Sequence, residues 1–196
     1  MKHNPFLLLA FALLCACPLA TLYAQDAQPS AQYALGDQSL SINAGLFVPL
    51  FFITYQSPPF APTQLSAGGM GSLNWAAYVS NRVQVGLEVG GVFAFSPNSN
   101  VFLMLPITAK AAYVFTAYPF EIPVFLGIGM NIVKYAGEST IDFLVKPGAS
   151  ALWIYNSSWS FGLNAVYWWD MQFSAKAGQS RTANFLELSL SAFYHY

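Results

Sequence analysis

Charge is what this sequence has least of. Only 8% of its 196 residues are Asp, Glu, Lys or Arg, against about a quarter in an ordinary soluble domain. So few charges would leave a water-soluble exterior poorly covered. Lys and Arg total 7, Asp and Glu total 8, and the formal net charge is −1, so no basic face is available for nucleic acid. Cysteine is nearly as scarce. Cys15 and Cys17 both fall in the leader, so the remainder has no disulfide and no thiolate metal site. Beyond the leader, no apolar run is long enough to cross a bilayer as a helix. What is abundant is apolar and aromatic, 56% and 17% of the residues. A chain this greasy with no helical span satisfies its backbone in lipid by closing into a barrel.

The stretch 184–196, NFLELSLSAFYHY, shows the pattern most cleanly. Successive strand residues point to opposite faces. One face takes Leu186, Leu188, Leu190, Ala192, Tyr194 and Tyr196, and the other takes Phe185, Glu187, Ser189, Ser191, Phe193 and His195. An aliphatic face that turns aromatic at its end suits hydrocarbon along its length and an interface at its tip.

The chain starts with a basic Lys2 and His3, an apolar core over 6–16 and Leu22-Tyr23-Ala24 before Gln25, so residues 1–24 read as an export signal peptide. Leu14-Cys15-Ala16-Cys17 resembles a loose lipobox and leaves lipid attachment at Cys17 as an alternative. Residues 25–38 read as a polar periplasmic tail, and 39–196 as the transmembrane barrel. Eight alternating segments follow, over about 39–50, 65–79, 83–95, 101–115, 120–132, 143–155, 159–171 and 184–196. Gly90-Gly91 could hold a bulge that flips the facing of residues 92–95. The Pro-rich segment 51–64 cannot be one continuous strand. Residues 136–142 read as a polar loop, and 172–182 as a long one. Tyr78, Tyr113, Phe115, Tyr155, Trp159, Tyr194 and Tyr196 fall near the short turns, with Trp168 and Trp169 near the far side, as interfacial girdles require. The fold class is thus an all-β, eight-stranded, antiparallel up-and-down transmembrane barrel.

A soluble lipocalin-type barrel would put the apolar face inside. Its exterior would then be Ser, Gly, Asn and Thr with one or two charges per strand, too few for water. The inward charges Glu88, Lys110, Glu121, Lys146 and Glu187 therefore form the expected lumen network, because an eight-stranded bore is barely wider than its own side chains. Nearer the outer mouth, Phe47, Met70, Phe102, Met104, Leu144, Val166 and Trp168 face inward, with Val133 and Phe185. They suggest a pocket for a small hydrophobic molecule, or simply fill one another's space.

Signals for catalysis are poor. His195 is the only histidine past the leader and reads as an interfacial polar residue, and it lies at the opposite end of its strand pair from Asp170. No metal-ligand spacing and no phosphate-binding glycine motif is present. No enzyme activity, metal or cofactor is expected.

With its leader, its eight-strand layout, the segment from Pro123 to Asn131 (PVFLGIGMN) and the terminal aromatic Tyr196, the chain resembles the small outer-membrane barrels of the OmpW family and their OmpX relatives. That resemblance implies a monomer in outer-membrane lipid, with Tyr194 and Tyr196 as the signal read by the outer-membrane insertion machinery. The terminal Tyr departs from the commoner Phe. The OmpW branch implies porin-like transport of small hydrophobic solutes through a narrow conduit or binding site. The alternative is a surface-exposed structural or adhesin-type barrel with a closed lumen, whose loops 51–64 and 172–182 bind partners.

Overall fold

A computed structural model of the chain describes residues 33–54, 60–96, 100–173 and 180–196. The expected signal peptide, and the expected tail up to residue 32, lie outside them. The described residues form nine strands: β1 (Gln38–Thr54), β2 (Phe60–Pro62), β3 (Gly68–Ser80), β4 (Val83–Phe95), β5 (Val101–Ala117), β6 (Phe120–Tyr135), β7 (Glu138–Ile154), β8 (Trp159–Gln172) and β9 (Arg181–His195). Apart from β2, each pairs antiparallel with the next, and β9 pairs with β1. The result is a closed eight-stranded barrel with β2 as a short arm folded back on Phe51–Ile53 of β1. Closure leaves no long unpaired edge, which a sheet in lipid requires. The shortest barrel strands have 13 residues. At 3.3 Å per residue that is about 43 Å, enough to cross roughly 30 Å of hydrocarbon when tilted.

The start of β1 and the end of β9 lie at one end of the barrel, where Ser39 pairs with His195. Connections there are short, at residues 81–82, 118–119 and 155–158, while most of those at the opposite mouth are longer. Side-chain parity follows the sequence pattern. Leu126 and Leu188 are 44% and 45% exposed and belong to an apolar exterior that runs around the barrel. At the terminal end an aromatic girdle caps it: Tyr113 packs on Phe115 at 4.8 Å, Trp159 on Tyr194 at 5.0 Å, and Tyr194 on Tyr196 at 5.8 Å.

Five local expectations are corrected. The glycine pair holds no bulge: Val89↔Ile107 and Val92↔Met104 keep one register, so Val92 and Ala94 stay inside and Phe93 and Phe95 outside. Pro106 Cγ packs where a Cβ on Gly90 would come within 3.1 Å, so the glycine serves close packing and the register stays unbroken. Register shifts lie instead between Tyr78 and Ser80, beside the turn at residues 81–82, and between Pro49 and Phe51, where the ladder to β9 shifts and resumes and β1 continues to Thr54. Segment 136–142 is no loop. Tyr135 pairs with Glu138 across Ala136 and Gly137, whose φ values of 50° and 87° make a tight hairpin. Tyr78 and Trp168 leave the girdle, because both lie on the inward parity of their strands and are fully buried. His195 is also inside the terminal end, not at the interface.

Candidate functional site

The lumen is filled in layers, and each layer follows from which inward residues meet at one height. Near mid-strand, Lys146 on β7 bridges the bore. Its ammonium donates to Glu88 on β4 and lies 3.2 Å from Glu187 Oε2 on β9. Lys110 on β5 reaches Glu88 Oε2 at 3.2 Å. Trp168 Nε1 donates to Glu187 Oε2 at 2.9 Å and Ser189 Oγ to Oε1 at 3.2 Å. The two ammoniums also sit over rings, Lys146 at 4.1 Å from Trp168 and Lys110 at 3.8 Å from Phe125. Phe125 in turn covers Gly148 across the strand pair, where an added Cβ would meet its ring at 2.7 Å. Opposite charges are thus paired and hydrogen-bonded, the condition under which buried ions persist. Glu121 stands apart from this network, for it is buried toward the terminal end beside Tyr33.

Toward the terminal end the charges give way to amides and hydroxyls. Asn43 Nδ2 donates to Ser72 Oγ at 2.9 Å, Asn164 Nδ2 to Asn43 Oδ1 at 3.1 Å, and Ser191 Oγ to Asn43 Oδ1 at 2.6 Å. Below them the last described residues of the tail turn into the bore. Tyr33 stacks on Tyr78 at 4.3 Å and on His195 at 5.0 Å. Its hydroxyl lies 3.4 Å from His195 Nε2, which is also 3.2 Å from Ser160 Oγ. Burial, and then the nearby Glu121, push the Tyr33 phenol above its ordinary range. Asp170 is at the other end of the barrel, so no Ser–His–Asp arrangement forms around His195.

Above the ions, the residues of the expected hydrophobic pocket form one packed cluster. Phe47, Leu144, Trp168 and Phe185 are fully buried, with Met70, Met104, Val133 and Val166 beside them. Phe47 meets Trp168 at 5.4 Å and Phe185 at 4.7 Å. Of the seven expected pocket residues, Phe102 lines a cavity of about 110 Å³ at the mouth. Its other walls include Phe52, Tyr135 and Phe185, with Asp142 and Asp170 among its polar groups and Arg181 at the same site. A second space of about 310 Å³ adjoins it through Phe52, Phe102, Tyr135 and Arg181. Polarity alone places Asp142 in a loop, and Asp170 stands out in the sequence only as a distant partner for His195. Both nevertheless share parity with Leu144, Lys146, Val166 and Trp168, which is the signal that places them inside. Among the described residues no cluster of three or more His, Cys, Asp or Glu is placed to hold a metal ion.

The sequence profile of one protein family matches residues 23–194. The chain belongs to that family. It is also similar to a protein of Borreliella burgdorferi, 29% identical over 177 residues that cover 79% of this chain and 81% of that protein. Among solved structures, Neisserial surface protein A superposes with a TM-score of 0.57 at 13% identity, over 82% of this chain and 97% of that one. The outer membrane protein OprG from Pseudomonas aeruginosa gives 0.52 at 12% identity, over 84% and 98%. At such identities the likeness shows the fold, that of the small eight-stranded outer-membrane barrels. The OmpW/OmpX-like reading of the sequence stands at that level.

Proposed function

We propose that this protein is an outer-membrane barrel that works at its extracellular mouth, binding small solutes with an apolar part there and conducting nothing along its axis. The observation that carries this reading is Lys146 tied to Glu88 and Glu187 across the bore, with Trp168 packed directly upon it. An eight-stranded cylinder has no spare width around such a plug. The mouth, by contrast, keeps concave space between Phe52, Phe102 and Tyr135. The family resemblance to small hydrophobic-solute barrels points the same way, with the passage replaced by a site.

The test is reconstitution. In planar bilayers the barrel is expected to give no steady ohmic conductance, and a small aromatic solute such as benzyl alcohol to bind the protein in maltoside detergent and weaken on Phe102→Ala. Steady conductance through the intact barrel would overturn the closed lumen, and binding indifferent to Phe102 would overturn the mouth site.

A second reading has its own support. Phe60 and Phe173, on the two long connections, are 63% and 73% exposed. Large apolar side chains presented beyond the barrel favour contact with a macromolecular partner through loops 51–64 and 172–182. Loops grafted onto an unrelated barrel should then carry that binding with them.

A further inference from the structure

The floor of the mouth cavity has a chemistry that its apolar walls do not explain. Asn131, Asp142 and Asp170 sit on the neighbouring strands β6, β7 and β8, with Asn131 paired to Asp142 in register. Asn131 Nδ2 donates to Asp170 Oδ2 at 2.7 Å. The other oxygen of each acid, Asp142 Oδ1 and Asp170 Oδ1, is buried with no hydrogen-bond partner among the described residues. Both side chains line the cavity and are more than nine-tenths buried, at 7% and 3% exposure. An unpaired buried carboxylate is costly, and a proton or a bound cation removes the cost; of the two, only the cation makes a binding site.

The protein's own cation at this site, Arg181, acts on Asp142 and Asp170 through space and forms no direct ion pair with either among the described residues. Arg181 Nε donates to Gln172 Oε1 at 2.8 Å, and its guanidinium lies over the Phe52 ring at 5.3 Å. Every ion pair resolved among the described residues belongs to Lys110 or Lys146. Glu138 lines the same cavity, so three carboxylates stand against one guanidinium. Around them are rings: Phe102 meets Tyr135 at 6.0 Å and Phe185 at 6.5 Å. Carboxylates on the floor and aromatic faces on the walls are the combination that recognises an ammonium ion, the rings through their negative faces and the acids through full charge.

We propose that the mouth cavity binds a small organic ammonium ion, with Asp142 and Asp170 as its counter-charges and Phe102, Tyr135 and Phe185 as its aromatic wall. This rests on the mouth being the working site, and it specifies the class of solute. About 110 Å³ accommodates a headgroup, and the adjoining space past Phe102 and Phe52 accommodates a short apolar body.

The experiment is a matched titration by calorimetry, using the full-length protein in maltoside detergent with no choline-headed lipid. Choline is compared with its uncharged isostere 3,3-dimethylbutan-1-ol, and both are run against the wild type, Asp170→Asn and Asp142→Asn. Asparagine keeps shape and one oxygen, and retention of the heat-resistant compact band on gels verifies folding. Choline is expected to bind the wild type at least tenfold more tightly than the alcohol, and each substitution to erase most of that difference. Equal binding of both probes, unchanged in the variants, would overturn the charge preference while leaving the mouth site intact. Absence of binding by either probe would overturn the ammonium site and weaken the mouth reading with it. Displacement of choline by micromolar Ca²⁺ or Mg²⁺ would also overturn it, reassigning the carboxylates to a metal ion.

Discussion

Lys146 and Trp168 converge on one oxygen: both reach Glu187 Oε2, the ammonium at 3.2 Å and the indole N–H at 2.9 Å, while the ammonium also sits 4.1 Å above the indole ring. The charge layer and the apolar plug above it are therefore one unit. Removing either loosens both, and that coupling sets the first expectation.

Lys146→Met leaves Glu187 buried without its cation and Glu88 with Lys110 alone. The expected cost is about 3–5 kcal/mol in urea unfolding, the range for breaking a buried pair from one side. Adding Glu187→Gln to Lys146→Met removes the stranded charge and should recover more than half of it. A single substitution that unfolds at the wild-type midpoint would show that the layer carries no stability.

The exterior makes a different demand. Leu126→Arg or Leu188→Arg places a guanidinium toward hydrocarbon, where the expected cost is about 2–4 kcal/mol near the bilayer midplane. Tyr113→Arg, within the aromatic girdle, should cost under about 1 kcal/mol. Unfolding in vesicles checks the gradient. Equal costs at the two depths would mean that the apolar band does not face lipid.

Tyr33 gives a pH dependence with a definite sign. Burial holds its phenol neutral and raises its folded pKa above the unfolded value. Its stabilisation is therefore complete below the ordinary tyrosine range and falls as pH rises past about 10. Docking of Tyr33 on Tyr78 should persist to that pH and then release, seen as loss of protection of the tail from protease. Tyr33→Phe keeps the stacking and should shift the release upward. Release beginning near neutrality would assign it to another group.

Tyr196 closes the barrel through backbone as well as ring. Its N–H donates to Gln38 O and its carbonyl accepts from Gln38 N–H, both at 2.9 Å. Deleting it is expected to lower the assembled protein in outer-membrane fractions several-fold, more than Tyr196→Phe does. Wild-type levels from the deletion would argue against a role of the last residue in insertion.

The period-2 alternation was sufficient to number the strands, to assign Leu126 and Leu188 to the outside, and to collect Glu88, Lys110, Lys146 and Glu187 on the inside. Each of those is a local property: a residue's face depends on its neighbours in the same strand. The errors have a common source. Nearness to a strand end suggests the interface for Tyr78 and His195, whereas parity turns both inward. Polarity makes residues 136–142 look like a loop, because it does not distinguish a loop from the polar side of a hairpin in a lumen.

From its sequence alone this protein is a membrane-facing barrel with greasy walls and an ionic axis, because alternation is written residue by residue along the chain. Depth counted along the strands already set Lys146 opposite Glu187 across the bore; tertiary structure alone decided that Lys146 also takes Glu88, that Glu121 joins Tyr33 instead of the other charges, and that Asp142 and Asp170 share an aromatic-walled mouth. Those meetings depend on stagger between strands and on the narrow circumference of closure, quantities set by the whole cylinder and carried by no single stretch of it.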